Sequence, residues 1–115
     1  MWIYEIGATG MIRELLALTT TPVDNGYVVT LVGELDEQSA PRLSESFAQL
    51  ANGPVTVDLS GLTFIDSAGL QTLFRFHQQM EKQGSWVALR GAQDIVLRVL
   101  QITGLDQLMH IERAA

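Results

Sequence analysis

An aspartate and a serine stand side by side at Asp66-Ser67, followed by Ala68-Gly69-Leu70 and then by a helical pattern of apolar residues. A serine at the mouth of a helix is ordinarily a cap and nothing more. Here an acid precedes it, small residues come after it, and an apolar run backs it. Helix-start N–H groups attract negative charge, so a phosphoryl group added to the Ser67 hydroxyl would meet an anion site already in place. Phosphorylation would bring about −1.5 to −2 charge at pH 7. Asp66 would oppose that charge while serving equally well as the N-cap. Gly69 would permit close approach at the helix start, and Ala68 leaves Ser67 as the one hydroxyl of this short motif.

Other chemistries fit poorly. Ile65 stands where a Gly-x-Ser-x-Gly nucleophile elbow needs its first glycine, and nothing local positions a base. His77 and His110 have no companions at metal-ligand spacing, so no metal site and no cofactor is expected. A glycine-rich phosphate loop of Walker or dinucleotide type is missing too. Asp58, on a strand, reads as a solvated acid; Trp86, opening another strand, reads as core.

The elements that must hold Ser67 emerge from periodicity. Leu15 to Thr21 and Tyr27 to Val32 read as two strands joined through Pro22-Val23-Asp24-Asn25-Gly26, a hairpin. After Gly33-Glu34-Leu35-Asp36 a helix is expected, with Pro41 in its first turn and Leu43, Phe47 and Leu50 inward. Val55 to Leu59 is the next strand, ending in a Ser60-Gly61 turn. The helix after Ser67 turns Leu70, Leu73, Phe74, His77 and Met80 to the core, with Phe76 at its margin, and stops at Gly84. Trp86 to Leu89 makes a further strand. Asp94 caps a last helix with Val96, Val99, Leu100 and Thr103 inward, closed at Gly104-Leu105, before a short strand at Met109-His110-Ile111. The order β-β-α-β-α-β-α predicts an α/β domain: a mixed central sheet with its helices mainly on one face. Residues 1–13 stand apart, either an added strand or arm or a leader outside the fold; residues 14–115 form the domain proper.

Bulk properties narrow the partners. The chain has 115 residues, 47% hydrophobic and 17% charged, which suits one globular domain. Net charge is −6 and the seven basic residues are scattered, so nucleic acid is not an expected partner and a basic or mixed protein surface is. Cysteine is absent, no run approaches a membrane span, and the start lacks the basic-then-apolar order of a secretory signal. A cytoplasmic location without membrane insertion is expected; oligomeric state is left open.

The stretch Val55 to Leu70, with Asp66-Ser67-Ala68-Gly69-Leu70 at its end, resembles the signature of the STAS domain, in particular of bacterial anti-sigma factor antagonists. Gly33-Glu34-Leu35-Asp36, and Leu89-Arg90-Gly91 through Gly104-Leu105, agree with it, so the resemblance spans about residues 15 to 112. It implies a binding module and not an enzyme. Unphosphorylated, such a module binds a serine-kinase anti-sigma factor and frees a sigma factor; phosphorylated, it does not bind, and a phosphatase restores it. The resemblance makes Ser67 the phosphoacceptor. Asp66 and Asp36 become its acidic neighbours, and the helix start with Ala68 and Gly69 part of the docking surface. Ala68 departs from relatives that carry a second small hydroxyl residue there. The family also includes partner subunits of lipid-transporting ABC systems, which dock on an ATPase; the segment Leu97 to Leu105 looks more like the antagonists.

Overall fold

The computed structural model describes residues 16–112 in full and, for Tyr4–Ile6 and Ile12–Glu14, the backbone. Those two short strands, β1 (Tyr4–Ile6) and β2 (Ile12–Glu14), pair antiparallel in a ribbon of their own. Of residues 1–13, set apart in the sequence as an added strand or arm or a leader, Tyr4–Ile6 and the beginning of β2 are described as strand, and the rest lie outside the described residues.

The main sheet has five strands in sequence order: β3 (Leu16–Val23), β4 (Gly26–Leu35), β5 (Val55–Ile65), β6 (Val87–Arg90) and β7 (His110–Glu112). β3 and β4 form the expected hairpin; every later pair is parallel, as crossovers through helices require. The hairpin is tighter than its composition suggests. Pro22 and Val23 stay in the strand, and only Asp24-Asn25 turn, with Asn25 taking the positive φ of 72°. Proline is tolerated because β3 is an edge strand.

Three helices cover mainly one face of the sheet: α1 (Ala40–Ala48), α2 (Ser67–Lys82) and α3 (Asp94–Ile102). Val29, Leu31, Val57, Leu59 and Leu89 from the strands meet Leu43, Leu73, Val96 and Leu100 from the helices in one buried cluster. Several details differ from the periodicity. Phe76 is buried, its ring stacked on Phe47 at 3.8 Å between centroids, and so forms the α1–α2 contact; Phe74 is the half-buried one. Leu50 lies past the end of α1 and packs on the core from there. Trp86 is 44% exposed and precedes β6, since the buried positions of that strand begin at Val87. Gln93, not Asp94, occupies the N-cap of α3, and Thr103 is exposed with its hydroxyl donating back to the Val99 carbonyl.

The largest difference concerns Ser60-Gly61. No turn forms there; β5 runs on to Ile65 and absorbs two extra residues as bulges. From Thr30↔Asp58 to Val32↔Gly61, β4 advances two residues while β5 advances three, and the same slip recurs between Gly33↔Leu62 and Glu34↔Phe64. The buried side chains record it: Val55, Val57 and Leu59 alternate, then Leu62 and Ile65 succeed them at intervals of three. Asp58 stabilises the first bulge. Its Oδ1 accepts from the Ser60 N–H at 2.9 Å and the Ser60 hydroxyl at 2.7 Å, and its Oδ2 accepts from Arg90 at 3.2 Å. Burial pushes this carboxyl upward, but the Ser60 hydroxyl and N–H and the Arg90 guanidinium together hold it below its ordinary value. Asp58 is therefore a paired acid, not a merely solvated one.

Candidate functional site

Ile65 is the last residue of β5, and its buried side chain anchors the junction between that strand and α2. Asp66 then leaves the sheet in extended conformation and caps α2: its Oδ1 accepts from the Gly69 N–H, its carbonyl from the Leu70 N–H, both at 3.0 Å. Its own N–H donates to the Leu35 carbonyl at 3.1 Å, which ties the cap to the end of β4. The second carboxylate oxygen, Oδ2, accepts from the Glu37 N–H at 3.0 Å. One side chain thus joins the start of α2 to the loop before α1.

Gly69 shows why that junction needs the smallest residue. A Cβ there would stand 2.7 Å from Leu35 Cγ and 2.9 Å from the Leu35 carbonyl oxygen. The helix start is pressed against the end of β4, as expected of this glycine. Ala68 is half-buried, and its carbonyl accepts from the Thr72 hydroxyl at 3.0 Å.

Ser67 is the first residue of α2, one place after the cap. It is exposed, and among the described residues none hydrogen-bonds its hydroxyl. Because Asp66 does the capping, the serine hydroxyl is not consumed by the helix. The N–H groups of Ser67 and Ala68 have no intrahelical acceptor, as at any helix start.

Asp36 is not open to solvent. It is buried, and its Oδ1 accepts from the Gln38 N–H, the Ser39 N–H and the Ser39 hydroxyl, each at 3.1 Å. Ser39 Oγ in turn accepts from the Asp36 N–H at 2.9 Å, and its one proton is shared between Asp36 Oδ1 and the Glu34 carbonyl, also at 3.1 Å. This closed set shapes the entry into α1. Asp36 nevertheless shares one shallow depression with Asp66, lined also by Glu34, Glu37, Gln38 and Phe64. The structure brings Asp36 and Asp66 together on one surface beside Ser67. It adds Glu34, Glu37 and the 43% exposed Phe64, which motif and periodicity do not single out. The available signal is the odd interval in β5: a phenylalanine between Leu62 and Ile65 can be outward only if the strand is bulged.

The surface is acidic and open, and it suits recognition of a basic or mixed partner more than enclosed catalysis. His77 is buried in α2 with Nε2 against Glu81 at 3.2 Å, and the His110 ring packs at 6.3 Å from it. Among the described residues no group of three or more His, Cys, Asp or Glu side chains could hold a metal ion. No helix of the described residues is long and apolar enough to cross a membrane.

Comparison with known proteins fits this geometry. The family described as Mlab, STAS domain, matches residues 18–111. The anti-sigma-B factor antagonist of Bacillus subtilis is 30% identical over 90 residues, covering 76% of this chain and 83% of the relative. The anti-sigma-B factor antagonist of Staphylococcus aureus is 29% identical over 99 residues, covering 84% and 92%. Among solved structures, the phosphorylated form of the Bacillus cell fate determinant SpoIIAA superposes with a TM-score of 0.65 at 24% identity, covering 86% of this chain and 92% of that one. The bulged strand, the aspartate cap and the free serine beyond it are thus the features of a chain that belongs to the STAS domain family, with the anti-sigma factor antagonists among its relatives.

Proposed function

We propose that this protein is an anti-sigma factor antagonist switched by phosphorylation of Ser67. Unphosphorylated, it binds a serine-kinase anti-sigma factor in the cytoplasm and so releases a sigma factor; phosphorylated, it lets go. The observation that carries this is the Ser67 hydroxyl, exposed at the first position of α2 and left without a partner because Asp66 caps the helix. The names of the curated relatives, and the phosphorylated state of a structural neighbour, support the same reading.

In the transfer step the Ser67 oxygen attacks the γ-phosphorus of ATP held by the kinase. The new O–P bond replaces the bond to ADP, and the hydroxyl proton leaves to a base on the kinase. A phosphatase returns the serine by hydrolysis, with water supplying the oxygen of the released phosphate. The chain is a substrate in both steps and not a catalyst.

The fold should bear the modification with little change. Helix-start N–H groups favour the added charge by about 0.3–1 kcal/mol when exposed, whereas Glu37 and Asp66 nearby oppose it. The effect is felt at the interface, where a dianion facing a surface shaped for a neutral hydroxyl is costly to desolvate. Asp66, Ala68 and Gly69 contribute to docking by placing the first turn of α2. Asp36 contributes by holding the loop beside it.

Incubation with candidate serine-kinase anti-sigma factors and ATP, then mass spectrometry, should find phosphate on Ser67. Ser67→Ala should keep partner binding and Ser67→Glu should weaken it; equal affinity of the two would sink the electrostatic switch. Absence of phosphate with every such kinase, together with stable binding to an ABC ATPase, would transfer the chain to the lipid-transport reading.

A further inference from the structure

The outer edge of β3 is the one long strand edge of the main sheet that the described residues leave uncovered. The hairpin determines which of its backbone groups face outward. Val23 and Gly26 close a two-residue turn, so they exchange hydrogen bonds, and alternation makes Thr21, Thr19 and Ala17 the inward-bonded residues of β3. Leu16, Leu18, Thr20 and Pro22 therefore direct their N–H and C=O groups away from β4. The contact between Arg42 Nη1 and the Leu16 carbonyl, at 2.8 Å from outside the ladder, agrees with that phase.

Two of these outward groups are withdrawn from further pairing. Pro22 has no N–H, and the Leu16 carbonyl is occupied by Arg42. Taken singly, each looks like a guard against edge-to-edge association. Their relation to one another says otherwise. When two copies of β3 lie antiparallel about a two-fold axis at Thr19, Leu18 faces Thr20 of the second copy and Leu16 faces Pro22 of the second copy. The missing donor of Pro22 then meets the one carbonyl that already has a donor. Every other outward group finds a partner: Leu18 and Thr20 exchange both bonds, and the Leu16 N–H donates to the opposite Pro22 carbonyl. No other register centred within Leu16–Val23 matches the two gaps.

The side chains permit the approach. Leu16–Val23 contains no charged residue, although the chain carries −6 overall. A central lysine is the usual guard of a natural edge, and here Thr19, Thr20 and Thr21 stand in its place, exposed and β-branched. We infer that β3 is a self-association edge on which a second copy of this chain pairs antiparallel, Thr19 against Thr19, joining the two main sheets into one. Such pairing is independent of phosphorylation, since it uses neither Ser67 nor the surface beside it.

The absence of cysteine makes the register directly testable. Thr19→Cys places the only two thiols of a dimer across the axis, at a non-hydrogen-bonded pair with Cα atoms about 4.5 Å apart, within disulfide reach. Under mild oxidation it should crosslink much faster than Thr21→Cys, which faces Ala17 of the second copy. With the native chain, light scattering over rising concentration should show a monomer giving way to a dimer. Hydrogen exchange at the Leu18 and Thr20 amides should slow in parallel. Thr19→Lys sets two like charges opposite each other and should weaken the dimer about fivefold, with the melting temperature of the monomer little changed. A monomer at every accessible concentration, or faster crosslinking of the Thr21→Cys variant, overturns the inference. So does protection of Leu18 and Thr20 that is independent of concentration, which would mean that the chain's own N-terminal segment covers the edge.

Discussion

The molecule contains two helix starts built from the same residue types, and it uses them in opposite ways. At α1, Asp36 and Ser39 bond to each other and to the local backbone until the hydroxyl has no capacity left; Ser39 is 2% exposed. At α2, Asp66 satisfies the helix from the cap position, and Ser67, one residue later, is exposed and unengaged. The difference lies in the order of the two roles. A serine drawn into the turn ahead of a helix is consumed by the backbone; a serine just inside a helix that an aspartate already caps is left for something else.

The largest effect expected from this contrast is on phosphate incorporation. Ser67→Ala should abolish transfer by a cognate kinase, while Ser39→Ala should leave it intact in the folded protein; mass spectrometry of both variants decides it. Stability should move the other way. Asp36→Ala removes a buried carboxylate that accepts three hydrogen bonds, leaving the Ser39 N–H and hydroxyl to the Asp36 and Glu34 carbonyls, at a cost of about 2–3 kcal/mol in chemical denaturation. Ser67→Ala should cost less than about 0.5 kcal/mol, as a surface change away from any partner. Asp66→Ala falls between, at about 1–2 kcal/mol for a lost cap together with the bond to Glu37; an effect as large as that of Asp36→Ala would erase the distinction between the two starts.

The smallest effect belongs to Asp58, outside both. Its folded carboxyl lies below the ordinary value of 3.8. Its contribution is therefore complete above that value and is lost as pH falls through the lower folded one. Thermal melts of Asp58→Asn should lie below those of the parent at neutral pH, and the gap should close in acid below 3.8. A gap unchanged by pH would mean that shape and not charge is what Asp58 supplies to the bulge.

Much of this architecture is legible in the residues. The hairpin, the order of strands and helices and the cap at Asp66 all arise from local chemistry, because turn residues, periodicity and capping act within a few positions of themselves. Two expectations fail for a common reason. Ser60-Gly61 looks like a turn, yet β4 goes on supplying ladder partners past it, from Val32↔Gly61 onward, after the pairing with β6 has ended at Asp58↔Arg90, and this keeps the chain in strand. Phe76 sits at the margin of the α2 stripe until Phe47 arrives from another helix. Each is decided by a neighbour that a single stretch of sequence does not display.

The two slips in β5 have a consequence for how this chain can change length. They act as a phase shifter between the buried part of the strand and the motif at its end. Removing one residue at Ser60–Gly61 would heal the first bulge, restore plain alternation there and leave Ile65 opposite Leu35 and inward, with Asp66 and Ser67 in place. Removing a second, between Leu62 and Phe64, would heal the other and leave a shorter, straighter strand. Length variants of this segment should therefore survive the loss of one or two residues and fail at the third, when no bulge is left to absorb the change and Asp66 is drawn away from the Leu35 carbonyl.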